Sequence, residues 1–99
     1  MNTEASISQQ TAEELLMAQR LVQLLGLEHI APEAIVPTAP LFGSSVDSVG
    51  LDSIDALELA LMIHQQYGVE LRSEDAEVRA AFGSLRSLTD HVLRKRSAG

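Results

Sequence analysis

Cysteine is absent from all 99 residues, which excludes a disulfide framework, a thiolate nucleophile and a cysteine-ligated zinc. Tryptophan is also absent, and three aromatic rings, Phe42, Tyr67 and Phe82, leave little on which nucleic-acid bases could stack. Positive charge is scarce: seven Lys and Arg stand against fourteen Asp and Glu, a formal net charge of −7. That balance argues against a nucleic-acid backbone as ligand. No apolar run approaches the ~18 residues of a membrane helix, and residues 1–10 lack the basic start and apolar centre of a secretory signal. The expectation is a cytoplasmic chain with no membrane span. Its length leaves room for one domain and not for two around a catalytic cleft. Aliphatic residues, by contrast, are plentiful enough for a small core.

Residues 1–10 are polar and without period, and are expected to form a flexible tail. A single domain is expected over 11–96, with a short tail at 97–99. Thr11 followed by Glu14 is a capping-box pattern. The stripe Leu15, Ala18, Val22 and Leu25 then predicts a first helix, broadened by Leu16, Leu21 and Leu24 and stopped by Gly26. Residues 27–52 carry Pro32, Pro37, Pro40, Gly43 and Gly50 with no sustained period. This reads as a long loop with one helical turn at Pro32, pegged to the core by Ile30, Ile35, Val36, Leu41 and Phe42. A second helix is expected over 53–67, with Asp52 as N-cap and Gly68 as stop. A short third helix is expected over 74–81 after Ser73, and a last one over 88–96 opened by Ser87 and Asp90. Residues 69–71 read as an extended link. The predicted fold class is all-α: a four-helix bundle with three main helices, a short third helix and a long first loop.

The second helix carries two apolar stripes. At ~100° per residue from Ile54, residues Ala56, Leu59, Ala60, Ile63 and Tyr67 fall between about 140° and 240°, a core-facing set. Ile54, Leu57 and Leu61 fall on the opposite side, flanked by Glu58 and Gln65. Either the loop over 35–42 covers that second stripe, or it docks partners, since exposed apolar patches with polar rims mark interaction sites. Charge supports docking: eight acidic residues and one basic lie between Asp47 and Glu77, and an acidic patch suits a basic partner surface. The cluster Arg86, Arg94, Lys95 and Arg96 reads as cations favouring a helix C-terminus. The three histidines, His29, His64 and His91, have no ligand spacing and are expected on the surface or in loops; no metal site is expected.

At the start of the second helix stands Gly50-Leu51-Asp52-Ser53-Ile54. Capping alone explains most Asp-Ser pairs at such a place, yet the unpaired N–H groups and the helix dipole there also favour an anion. With Asp55-Ala56-Leu57-Glu58-Leu59 following, and Tyr67-Gly68-Val69 at the far end, this element resembles the acyl carrier protein family. In that family a Gly-x-Asp-Ser-Leu/Ile element begins the second helix and a Phe/Tyr-Gly-Val ends it. The likeness spans roughly residues 12–96 and includes the acidity, the long first loop and the short third helix.

The resemblance implies that Ser53 accepts 4′-phosphopantetheine from a transferase acting on coenzyme A. The arm's thiol would then hold acyl groups as thioesters, so that the cofactor supplies the sulfur this chain lacks. It further implies that Asp52 caps the helix and helps place metal and substrate in the transferase complex, that Asp55 and Glu58 are acidic recognition positions, and that Ile54, Leu57 and Leu61 form the apolar contact strip. No catalytic residue is expected in the chain itself. The implied partners are the phosphopantetheinyl transferase and acyl-transferring or acyl-modifying enzymes with basic docking surfaces, met by a monomer in fatty-acid, polyketide or specialised lipid biosynthesis. A peptidyl or aminoacyl carrier, or an unmodified helical adaptor docking through the second helix, are the alternatives. Asp47-Ser48-Val49 imitates the motif, but Gly50 follows and no helical period continues from Ser48. The chain departs from the family's commonest pattern in a longer stretch between Phe42 and Ser53, in Ile54 where leucine is the commoner residue after the serine, and in His64, Gln65 and Gln66 where the family often has acids. The last departure points to a specialised pathway.

Overall fold

The computed structural model describes residues 10–43, 48–72 and 74–98; residues 1–9 of the tail expected over 1–10, Asp47 of the imitating motif and the expected cap Ser73 lie outside the described residues. Gln10, the last residue of that tail, donates from Nε2 to Pro32 O and Ile35 O, both at 2.8 Å. Four α-helices follow in order: α1 (Ala12–Leu25), α2 (Ser53–Tyr67), α3 (Ala76–Ala81) and α4 (Leu85–Ala98), with a 3-10 turn at Pro32–Ala34 in the first loop. Pairing between extended segments, among the described residues, is confined to two isolated bridges, Pro40 with Ser84 and Phe42 with Leu51. The class is all-α, and the arrangement is the four-helix bundle with a short third helix that the sequence predicts. No helix among the described residues is long and apolar enough to cross a membrane.

Packing follows the apolar periodicity. α1 packs on α2, α4 and the 3-10 turn, while α3 packs on α4. The core is one cluster in which Met17 and Leu21 of α1, Leu59 and Ile63 of α2, and Leu85, Leu88 and Val92 of α4 are completely buried. Each such side chain contributes about 1.5–3 kcal/mol relative to an exposed one. Ile35 and Leu41 peg the loop to this cluster as expected; Val36 does not, because its side chain is 39% exposed. The α1 stripe is also centred differently from the expectation. Met17, Ala18 and Leu21 are buried with Glu14, whereas Leu16 and Leu24 are 41% and 40% exposed.

Thr11 and Glu14 form the expected capping box: Glu14 N–H donates to Thr11 Oγ1 at 3.1 Å and Thr11 N–H donates to Glu14 Oε1 at 2.9 Å. The other carboxylate oxygen accepts from Arg86 Nε, also at 2.9 Å, and joins α1 to α4. Burial pushes the Glu14 carboxyl up, but the Arg86 hydrogen bond and charge, with the Thr11 contacts, outweigh it and leave the pKa below the usual value. A carboxyl lowered on folding contributes stability that is present above its unfolded pKa and lost as pH falls through the folded one. Thermal melts between about pH 7 and about pH 3 should therefore show Glu14→Gln less pH-sensitive than the parent chain in the acid range. Parallel curves for the two proteins would remove Glu14 as a source of acid lability.

α1 and α2 start where expected, under Thr11 and Asp52, while α3 and α4 do not. α3 begins at Ala76 under Asp75, whose Oδ1 accepts from Glu77 N–H at 2.8 Å, and not at 74. α4 begins at Leu85 because Ser84 and Ser87 cap each other: Ser87 N–H donates to Ser84 Oγ at 3.1 Å and Ser84 N–H to Ser87 Oγ at 3.0 Å. His91, well inside α4, is 2% exposed, contrary to the surface or loop position expected for it.

Candidate functional site

Both edges of the long loop are tied together just before α2. Leu51 N–H donates to Leu41 O at 3.0 Å and Gly43 N–H to Leu51 O at 3.4 Å, with Leu51 itself buried. Gly50 makes the turn with φ +88°, a left-handed backbone that disfavours any side chain, although a Cβ there would meet no atom within 4 Å. This fixes where the next residue enters the helix. Asp52 is the N-cap, and its Oδ1 accepts from the N–H groups of Ile54 at 3.1 Å and Asp55 at 3.0 Å. Asp55 Oδ2 accepts in return from Asp52 N–H at 3.1 Å, completing a reciprocal box. Two carboxylates at the positive end of the helix dipole are favourably placed.

Ser53 is the first residue of α2, is exposed, and has no hydrogen bond to its Oγ among the described residues. Its hydroxyl is thus presented to solvent at a capped helix start and bonds to no other described residue. Ser48, in the imitating motif, is half-buried instead; its hydroxyl donates to Gly43 O at 2.9 Å, and no helix follows it.

Beside Ser53 opens a cleft of about 650 Å³. Phe42 and Leu51 line it from the loop, Ala56, Leu57 and Ala60 from α2, and Leu71, Val78, Arg79 and Phe82 from the α3 side, with Asp52 and Ser53 also on its wall. Phe42 and Phe82 meet edge to face across it, ring centres 5.9 Å apart at 82°, a favoured aromatic geometry. None of the loop and α3 residues was picked from the sequence as part of a site. The sequence marks Phe42 only as a peg of the loop on the core, and both it and Phe82 do pack against the core cluster.

Of the other residues singled out in the sequence, Ile54, Leu57 and Leu61 are 67%, 63% and 55% exposed. The loop therefore does not cover the second stripe of α2. Glu58 is exposed and Asp55 half-buried on the same helix, neither facing a cationic side chain among the described residues. Leu59 and Ile63 are buried, and Tyr67 is half-buried. No group of three side chains able to hold a metal ion occurs among the described residues.

A family model described as the phosphopantetheine attachment site matches residues 17–92. An acyl carrier protein of Afipia carboxidovorans is 35% identical over 63 residues, which cover 64% of this chain and 71% of the relative.

Proposed function

This chain belongs to the acyl carrier protein family, whose members bear a covalent 4′-phosphopantetheine group, and from that premise we propose that Ser53 is the attachment residue. The observation that carries the proposal is the exposed, unengaged Ser53 hydroxyl on the first turn of α2, behind the Asp52 cap. The residues around it suit the group. A phosphodiester on Ser53 would be favoured by the positive end of the helix dipole, and the largely apolar cleft that Ser53 lines would offer room for the arm or the near end of its cargo. When bound, the group supplies the thiol on which acyl chains are held as thioesters.

The chain's own residues hold and present. Asp52 fixes the helix start and so the position of the Ser53 oxygen, and the transferase provides the base that takes its proton. Ile54, Leu57 and Leu61 form the apolar part of the partner contact, and Asp55 and Glu58 its acidic rim. In this reading the chain is a carrier and performs no catalysis; the domain over 11–96 acts as a cytoplasmic monomer. Acids are missing at the end of α2, where His64, Gln65 and Gln66 stand and are exposed. That difference supports a specialised lipid or polyketide pathway with its own partners over general fatty-acid synthesis.

The direct test is intact mass after incubation with a phosphopantetheinyl transferase and coenzyme A. The expected result is gain of one phosphopantetheinyl group per chain. An unchanged mass with several transferases of broad specificity would falsify the carrier reading.

A further inference from the structure

Basic side chains in this acidic molecule are mostly matched to carboxylates. Arg72 lies 3.7 Å from Glu70, Arg86 2.9 Å from Glu14, Arg94 3.2 Å from Asp90 and Lys95 3.6 Å from Glu77. Arg20 and Arg96 meet no carboxylate among the described residues, although acidic residues outnumber basic ones fourteen to seven. Both instead sit against the ring of Tyr67, their guanidinium carbons 5.7 Å and 5.5 Å from its centre. Three helices converge here: Arg20 comes from α1, Tyr67 is the last residue of α2, and Arg96 lies in the last turn of α4.

A cation over a tyrosine face gains roughly 0.5–1 kcal/mol at an exposed site, which explains why each arginine rests there. It leaves two things unexplained. Two like charges sharing one ring repel each other, and a shared anion would relieve that. Arg20 Nε is also buried without a hydrogen-bond partner, and buried N–H donors in native proteins are nearly always satisfied.

A second, separate observation falls on the same face. Leu16 and Leu24 stand four residues before and after Arg20, and with it span an arc of only ~80° on α1. They are the two large apolar side chains that α1 leaves exposed, at 41% and 40%. An arginine flanked by half-bare leucines and joined by a second arginine, neither meeting a carboxylate among the described residues, has the composition of a docking site rather than of a solvated helix face.

We propose that Arg20, Arg96 and Tyr67, with Leu16 and Leu24, form a second partner-docking surface that grips an aspartate or glutamate side chain of a partner protein next to an apolar residue. The planar guanidinium fork matches a carboxylate in two-point fashion. The leucines favour a protein segment over a free anion, and the net charge of −7 disfavours an anionic bilayer, which would repel the rest of the molecule. Tyr67 is fourteen residues beyond Ser53 along α2, ~21 Å at 1.5 Å per residue. A partner held at this end leaves the Ser53 end free, and it reads a surface of the opposite sign to the Asp52, Asp55 and Glu58 rim. The proposal stands independently of which serine carries the arm.

The test is a titration of the full-length, nitrogen-15-labelled chain with the capped peptide Leu-Asp-Leu and, in parallel, its Leu-Asn-Leu counterpart. The Nε–Hε signals of Arg20 and Arg96 and the amides of Leu16 and Leu24 report binding. The aspartate peptide should move these signals and bind about tenfold more tightly than the asparagine one, the span of one charge-assisted contact. Arg96→Gln, at an exposed position, should remove that difference while leaving the helical signature and transferase loading unchanged; Arg20→Gln should do the same if it folds. Equal affinity of the two peptides, or shifts that persist in Arg96→Gln, would overturn the proposal. Inorganic phosphate binding as tightly as the aspartate peptide would overturn it in favour of a simple anion site. Phosphatidylglycerol vesicles that perturb Leu16 and Leu24 when the peptide does not would overturn it in favour of a membrane surface.

Discussion

Ser53→Ala should reduce phosphopantetheine loading to background while Ser48→Ala loads like the parent chain. The contrast is expected because the two serines share an Asp-Ser sequence and differ in structure. Ser53 opens α2 with an exposed hydroxyl that bonds to no other described residue, whereas Ser48 is half-buried and bonded to Gly43 O. The Ser53 variant should remain folded. Asp52 still accepts from the N–H groups of Ile54 and Asp55, and alanine is a better helix former than serine. Any change is thus small against the ~5–15 kcal/mol typical of a domain. Intact mass after treatment with transferase and coenzyme A, alongside circular dichroism, reads both quantities. A Ser53→Ala chain that still gains the arm would put the attachment elsewhere. Asp52→Ala sharpens the comparison: losing the cap costs about 0.5–2 kcal/mol, so a folded Asp52→Ala chain that loads poorly would mean that placement of the serine oxygen matters beyond helix stability.

The start of α2 was legible in the sequence because every signal there is local. Asp52 caps within three residues, Gly50 supplies a backbone that other residues avoid, and Gly68 ends the helix with φ +71°. The start of α4 was less legible for a specific reason. A capping box is recognised by a Glu or Gln three residues after the cap, and here Ser87 takes that place opposite Ser84. Reading Ser87 as the cap puts the helix start three residues too far toward the C-terminus. His91, expected at the surface for want of ligand spacing, is buried because its face of α4 packs inward. Glu14 was read as half of a cap, which it is. Its burial depends on Arg86, seventy-two residues away, and no window along the chain carries that information. The cleft beside Ser53 was hidden for the same reason. It is assembled from a loop residue, Phe42, a link residue, Leu71, and Val78 of α3 with its C-cap Phe82, which only the fold brings opposite α2. The two stripes of α2, by contrast, came from angular counting alone, and the exposures of Ile54, Leu57 and Leu61 agree with the count.

Those stripes set the second large effect. Leu59 and Ile63 are completely buried, so truncating either to alanine removes transfer free energy and opens a cavity, at a cost of about 2–5 kcal/mol. Leu57 and Leu61 are 63% and 55% exposed, and the same truncation there should stay near the ~0.5 kcal/mol usual for surface changes. Denaturant melts of the four single variants measure this directly. Equal losses on both stripes would make the outer one core. Binding should invert the order. Apolar anchors near the centre of a contact carry most of its affinity, so Leu57→Ala and Leu61→Ala should weaken partner binding in chains that melt like the parent. The rim behaves differently again. Glu58 is exposed and unpaired with any cation among the described residues, and such charges act mainly on the rate of encounter. Glu58→Lys should slow association with a basic partner and flatten its dependence on salt while leaving the dissociation rate nearly unchanged. The leucine variants should do the reverse, speeding dissociation at an almost constant association rate. Stopped-flow measurements on the transferase complex at two salt concentrations separate the two. If Glu58→Lys altered only dissociation, the acidic rim would be part of the buried contact and not a steering field.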